Sequence, residues 1–162
     1  MASSAPPRRQ PLGRPYVLIA TWFGAGHLPI APGTWGSLAA LPFAWIIQRQ
    51  WGAAGLVIAA AALFLAGWWA SAEYVRQGAL KDPGEIVVDE VAAQWLVLAA
   101  GPLSLPSYVL GFVLFRAADI FKPFPANWAD RRLPGGLGVM ADDMLAAPYA
   151  MVALWVAARI FG

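Results

Sequence analysis

The chain has 162 residues, 60% of them hydrophobic and 12% charged, with a net charge of +2 and no cysteine. Ordinary soluble domains carry about 45–50% apolar and about 25% charged residues, so this composition points to a small membrane protein of one domain. Basic runs occur only at Arg8-Arg9 and Arg131-Arg132, which argues against a nucleic-acid partner, and the missing cysteines exclude a disulfide scaffold, a thiolate-ligated metal and a thiolate nucleophile.

Met1 to Pro15 is rich in Pro, Ser and Arg and reads as a disordered tail, leaving residues 16–162 as a single helical domain. Tyr16 to Ala25 is weakly apolar with small residues at Ala20 and Ala25, as in a short leader; the Gly/Pro-rich segment directly after it argues for its retention. Gly24 to Gly33 is a breaker-rich loop. Thr34 to Gln48 then reads as a helix with Thr34 or Ser37 as its cap, followed by a turn at Trp51-Gly52. Ala53 to Ala72 is an uncharged run long enough to span a bilayer, which takes about 20 residues.

Asp82 is placed to cap a further helix with Pro83 at its first position. Val91 to Phe115 is free of charge but broken at Gly101-Pro102 and Pro106, so it reads as a hairpin of helices near Ile86–Ala100 and Ser107–Phe121. Each is short for a full span, and tilt, a thinned bilayer or a place behind other helices would accommodate it. Pro134 to Gly138 reads as a flexible loop, and Ala141 to Ile160 as an apolar helix with Asp142 and Asp143 in its first turn, where the helix dipole favours negative charge. The expected fold is all-α, a helical membrane bundle with its polar motifs gathered at one membrane face. If each hairpin crosses and returns, the turns near residues 49–53 and 101–107 fall on one side. The other side then holds all nine acids and nine of the eleven Lys/Arg, and the positive-inside rule makes it cytoplasmic.

Three polar blocks meet on that side. Pro32-Gly33-Thr34-Trp35-Gly36-Ser37 offers hydroxyls and free helix-start N–H groups to an anion, or is simply a helix cap. Asp89-Glu90 enters an apolar helix either as a membrane-interface pair or as metal ligands. Phe115 to Asp143 holds four of the nine acids. Arg116, Asp119 and Lys122 lie on one helical stripe, as a ladder of ion pairs or as part of a site. The adjacent carboxylates Asp142 and Asp143 repel unless a cation lies between them, and a hard cation with oxygen ligands, Mg²⁺, suits them. Arg and Lys are then left for a phosphate, which on a membrane face belongs to a phospholipid or polyprenyl phosphate.

These blocks, in this order, resemble the bacterial phosphatidylglycerophosphatase A family. The motifs are Ala31 to Ser37, Ile86 to Glu90, Phe115 to Pro125, Asp130-Arg131, and Gly135 to Asp143. Two positions depart from the family pattern, Ala93 and Ala147, where it has glycine; every charged position is kept. The resemblance implies a Mg²⁺-dependent enzyme of the inner membrane that converts phosphatidylglycerophosphate into phosphatidylglycerol and phosphate, as a step of phospholipid biosynthesis. Asp89, Glu90, Asp119, Asp142 and Asp143 would hold Mg²⁺, and Asp89, Glu90, Asp119 and Asp143 would orient or deprotonate water. Arg116 and Lys122, with Thr34 and Ser37, would cradle the phosphoryl oxygens. Direct water attack and an aspartyl-phosphate route both fit. His27, the single histidine, lies in a Gly-rich loop and argues against a histidine phosphatase. A CDP-alcohol phosphatidyltransferase also aligns membrane carboxylates, but its longer Asp-Gly…Arg…Asp signature is missing. A small ion carrier would place charges at mid-membrane, whereas these lie at helix ends.

Overall fold

The computed structural model describes residues 9–78 and 83–161. The expected disorder of the tail therefore falls outside the described residues for Met1 to Arg8, and so does the cap expected at Asp82. Six α-helices follow in order: α1 (Pro15–Ala20), α2 (Pro32–Gln77), α3 (Val88–Leu98), α4 (Leu105–Phe121), α5 (Ala126–Arg132) and α6 (Gly135–Phe161). A short 3₁₀ turn at Ala25–His27 lies between α1 and α2. There is no strand among the described residues, as the sequence led one to expect.

The 46 residues of α2 form two arms, because Gly52 takes φ 67° and ψ −168° and breaks the helix. Only glycine adopts that conformation without strain. Gly36 and Gly67 mark how far the chain folds back. A methyl group on Gly36 would come within 2.7 Å of Val87 Cβ, and one on Gly67 within 3.1 Å of Val88 Cγ1. In a straight helix those glycines would lie about 46 Å apart at 1.5 Å per residue, so the arms must run side by side. Each arm is long enough, at about 30 Å or more, to cross a bilayer.

Between the arms and α6 lies α3, with nine of its eleven residues buried. A helix apolar on all sides belongs in a core. At about 16 Å it is too short to span alone, and its place behind other helices explains how so short an element is tolerated. Trp95 Nε1 donates to Ala40 O at 2.9 Å and ties α3 to the first arm of α2. Many core residues are small: Ala40, Ala44, Ala60, Ala70, Ala92 and Ala146 are essentially inaccessible. Helices in lipid gain little from hydrophobic transfer and associate by close van der Waals contact, which small residues permit. Ala93 and Ala147 are both fully buried in one cluster with Val97, Phe115, Ala150 and Leu154, so their methyl groups fill the contact between helices.

The outer faces of α2, α4 and α6 expose large apolar side chains, among them Ile58, Leu65, Val113, Val152 and Ile160. Two helices, α2 and α6, are long and apolar enough to cross a membrane. At one end of the bundle Tyr108 Oη donates to Gln48 Oε1 at 2.7 Å, and Gln48 Nε2 donates to Gly101 O at 3.0 Å. These bonds join the turn at Gly52 to the turn before α4. All the carboxylate-bearing motifs lie at the opposite end.

Several elements differ from the sequence expectation: α2 begins at Pro32 with Ala31 as its N-cap, so neither Thr34 nor Ser37 caps it, and α4 begins two residues early at Leu105, capped by Ser104. Three further differences bear on the site. The first is α6, which begins at Gly135, so the Gly-rich segment is helical and Asp142-Asp143 lie beyond its first turn. The reason is contact: a methyl on Gly136 would overlap the backbone of Ala72, and one on Gly138 would overlap Leu133 O. These glycines serve close packing against α2 and the preceding turn, and Asp142-Asp143 lie too far along α6 for its dipole to stabilise them. The second difference is α3, which starts two residues later than expected, because Val87 N is held by Ala20 O at 2.8 Å. The third is α5, which lies in a stretch that sequence alone assigned to no element.

Candidate active site

A cavity of about 560 Å³ opens at the polar end of the bundle. Asp89, Glu90, Arg116, Asp119, Lys122, Asp142 and Asp143 all line it, together with Gly33, Asp130, Arg131 and Arg132. Five helices contribute, α2 to α6.

Asp89 and Glu90 are consecutive in the first turn of α3, about 100° apart around it, and so reach different neighbours. Asp89 joins Asp142 and Asp143, and Glu90 joins Asp119 and Asp143; within each trio the oxygens lie within 4.8 Å of one another. Asp143 belongs to both trios. It is 3% exposed, and Asp89, Asp119 and Asp142 are no more than 9% exposed. Asp89 Oδ1, Glu90 Oε2, Asp142 Oδ1 and Asp143 Oδ2 are buried with no hydrogen-bond partner among the described residues. Orphaned buried carboxylate oxygens are costly unless a cation satisfies them. Hard oxygen donors crowded this closely form a set able to hold a metal ion.

Two cationic side chains face these five carboxylates. Arg116 NH1 lies 2.6 Å from Asp119 Oδ2 and 3.9 Å from Glu90 Oε1. Its Nε and NH1 make no well-directed hydrogen bond, so donors remain for another oxygen. Lys122 leaves the stripe that sequence gave it: as the left-handed C-cap of α4, φ 42°, it turns away from Asp119. Its Nζ donates to Asp142 Oδ2 at 2.7 Å and to Asp130 Oδ1 at 2.8 Å. Burial disfavours the charge on Lys122, but the bonds to Asp130 and Asp142 outweigh it and raise its pKa above the ordinary lysine value. The ammonium is therefore charged at neutral pH.

Gly33 is where the Pro-Gly-Thr block enters the site. A methyl there would overlap Glu90 Oε1 and stand 3.4 Å from Arg116 NH1. Thr34 and Ser37 do not line the cavity, and the Ser37 hydroxyl is fully buried without a partner. Glu85, four residues before Asp89, lies apart from the cluster. It accepts from Tyr74 Oη and pairs with Arg9 at 3.5 Å. Asp130, Arg131 and Arg132 line the cavity; sequence reasoning placed Asp130-Arg131 among the family motifs but gave none of the three an individual role. The charged run itself was the available signal.

The family model for phosphatidylglycerophosphatase A matches residues 18–158. That span runs from the second half of α1 to most of α6 and takes in all the cavity residues. The chain belongs to the phosphatidylglycerophosphatase A family. It is a phosphoric monoester hydrolase, and its two apolar helices suggest a membrane protein. A phosphatidylglycerophosphatase A of Haemophilus influenzae is 38% identical over 156 residues, covering 96% of this chain and 96% of the relative. One from Escherichia coli is 38% identical over 141 residues, covering 85% and 80%. A Bacteroides thetaiotaomicron protein, provisionally named a phosphatidylinositol-3-phosphatase, is 38% identical over 160 residues, covering 90% and 95%. No solved structure gives a significant match.

Proposed function

We propose that this protein hydrolyses the terminal phosphomonoester of phosphatidylglycerophosphate in a Mg²⁺-dependent reaction, at the cytoplasmic face of the bacterial inner membrane, as a step of phospholipid biosynthesis. One observation carries the reading: five carboxylates, four of them with an orphaned buried oxygen, converge with Arg116 and Lys122 in one cavity at the polar end of an apolar bundle. Asp89, Glu90, Asp119, Asp142 and Asp143 would hold the metal, which when bound supplies Lewis-acid stabilisation of charge on phosphoryl oxygens.

The chain's own groups do the rest. Arg116 presents a planar fork and Lys122 a point charge to the phosphoryl oxygens, and both keep their charge through the reaction. Asp89, Glu90, Asp119 and Asp143 supply the carboxylate that orients water and takes its proton as oxygen attacks phosphorus. The phosphorus–oxygen bond to the glycerol breaks, and the leaving alkoxide takes a proton to become the free hydroxyl of phosphatidylglycerol. The Gly33 backbone lets the α2 start approach Glu90 without a side chain between them.

The Bacteroides relative's name favours a second reading, hydrolysis of a phosphoinositide monoester at the same site. The deciding experiment gives the purified protein in neutral detergent each lipid in turn and follows inorganic phosphate and the lipid product by mass spectrometry. Phosphate and phosphatidylglycerol formed from phosphatidylglycerophosphate support the first reading. Turnover of phosphatidylinositol 3-phosphate alone would replace it with the second.

A further inference from the structure

Arg131 and Arg132 have no task in the reaction above. Both are exposed, both line the cavity, and neither makes an ion pair or hydrogen bond among the described residues. They lie at the C-terminal end of α5, on the rim. Arg116 and Lys122, deeper in, are already engaged with Glu90, Asp119, Asp130 and Asp142. The cavity therefore has two tiers of positive charge: an inner one paired with carboxylates, with Arg116 donors still free for the monoester, and an outer one with no carboxylate partner among the described residues.

The substrate proposed above also has two tiers. Its terminal phosphomonoester is joined through one glycerol to a phosphodiester that carries a further negative charge. With the monoester in the acidic cavity, that second charge would be left near carboxylates unless cations met it outside. We propose that Arg131 and Arg132 form a second phosphate subsite that holds the phosphodiester of the same lipid and so selects it over phosphatidic acid, which has a single phosphate. The proposal rests on the phosphatase reading. Guanidinium forks suit the paired free oxygens of a phosphodiester, and such charge-assisted bonds are the stronger kind.

The test compares phosphatidylglycerophosphate with phosphatidic acid as substrates of the full chain in neutral detergent micelles. The proteins are wild type, the double variant Arg131→Gln/Arg132→Gln, and Arg131→Lys/Arg132→Lys. The glutamine variant should lose roughly 10-fold or more in kcat/KM per arginine on phosphatidylglycerophosphate, mainly through KM. Its turnover of phosphatidic acid should be unchanged, and the lysine variant should recover part of the loss. An equal fall on both lipids, or no fall on the first, overturns the subsite. A loss that appears only when a second anionic lipid is added would mean that the arginines hold a neighbouring headgroup, which also overturns it. A wild-type protein that releases no phosphate from phosphatidylglycerophosphate would instead remove the phosphatase reading, and the subsite with it.

Discussion

Replacing Asp143 with asparagine should move activity and metal-free stability in opposite directions. Asp143 is the carboxylate common to both trios, with oxygens of Asp89, Asp142, Glu90 and Asp119 within 4.8 Å of its own in one trio or the other. At an effective dielectric of about 20, two full charges at that distance repel by about 3 kcal/mol. Arg116 and Lys122 offset part of this, and the net term remains repulsive. Asp143→Asn removes one charge and keeps nearly the same volume, so without metal the variant should unfold at a higher temperature than wild type. With Mg²⁺ the order should reverse, because ligand binding at about 100 times Kd adds about 2.7 kcal/mol to a protein that retains its site. Phosphate release should fall by about 100-fold or more, on the order of 3 kcal/mol in barrier. The assay is thermal unfolding in detergent with EDTA or Mg²⁺, alongside phosphate release from the same preparations. Near-normal turnover, or a Mg²⁺-induced rise in Tm equal to that of wild type, would refute the assignment of Asp143.

Other substitutions separate site from scaffold. Arg116→Lys should retain more activity than Arg116→Ala yet remain clearly below wild type in kcat/KM, because a fork becomes a point charge; a lysine variant equal to wild type would reduce Arg116 to a partner for Asp119. Gly33→Ala should lower kcat by roughly 10-fold or more while the helical content measured by circular dichroism is kept, since the added methyl meets Glu90 and Arg116 rather than the core. Tyr108→Phe removes the hydroxyl that bonds Gln48 at the far end of the bundle and should cost about 1 kcal/mol of stability with kcat unchanged; lost turnover would show that the two ends are coupled. In intact cells a membrane-impermeant thiol reagent should label Leu103→Cys and spare Trp128→Cys, both exposed positions in a chain with no cysteine of its own. The reverse pattern would invert the proposed orientation.

The helices and the grouping of the charged motifs were legible in the sequence because both follow from solvent: uncharged runs had to be helical in lipid, and every carboxylate lay near a break in such a run. The turn at Gly52 was visible for the same reason. The start of α6 was not. Gly135-Gly136-Leu137-Gly138 reads as flexible by propensity, and only the nearness of Ala72 and Leu133 shows why glycines there are helical. Tertiary contact also settles Lys122, which the helical stripe placed beside Asp119 and the C-cap turns toward Asp130 and Asp142. The five carboxylates could be named from spacing and resemblance. Their division into two trios sharing Asp143 depends on how α3, α4 and α6 cross, which one sequence does not encode locally. Burial of α3 behind its neighbours likewise explains a helix whose length alone left its relation to the bilayer open.

The measurement closest to the central claim is metal-dependent phosphate release from phosphatidylglycerophosphate by the purified, detergent-solubilised chain. After EDTA treatment and removal of the chelator, release should be lost, and titration with Mg²⁺ should restore it. Bound Mn²⁺ measured on the same samples should follow the carboxylates, falling in Asp89→Asn and Asp143→Asn but not in Tyr108→Phe. Full turnover by metal-stripped protein, or Mn²⁺ binding that ignores Asp89 and Asp143, would contradict the account.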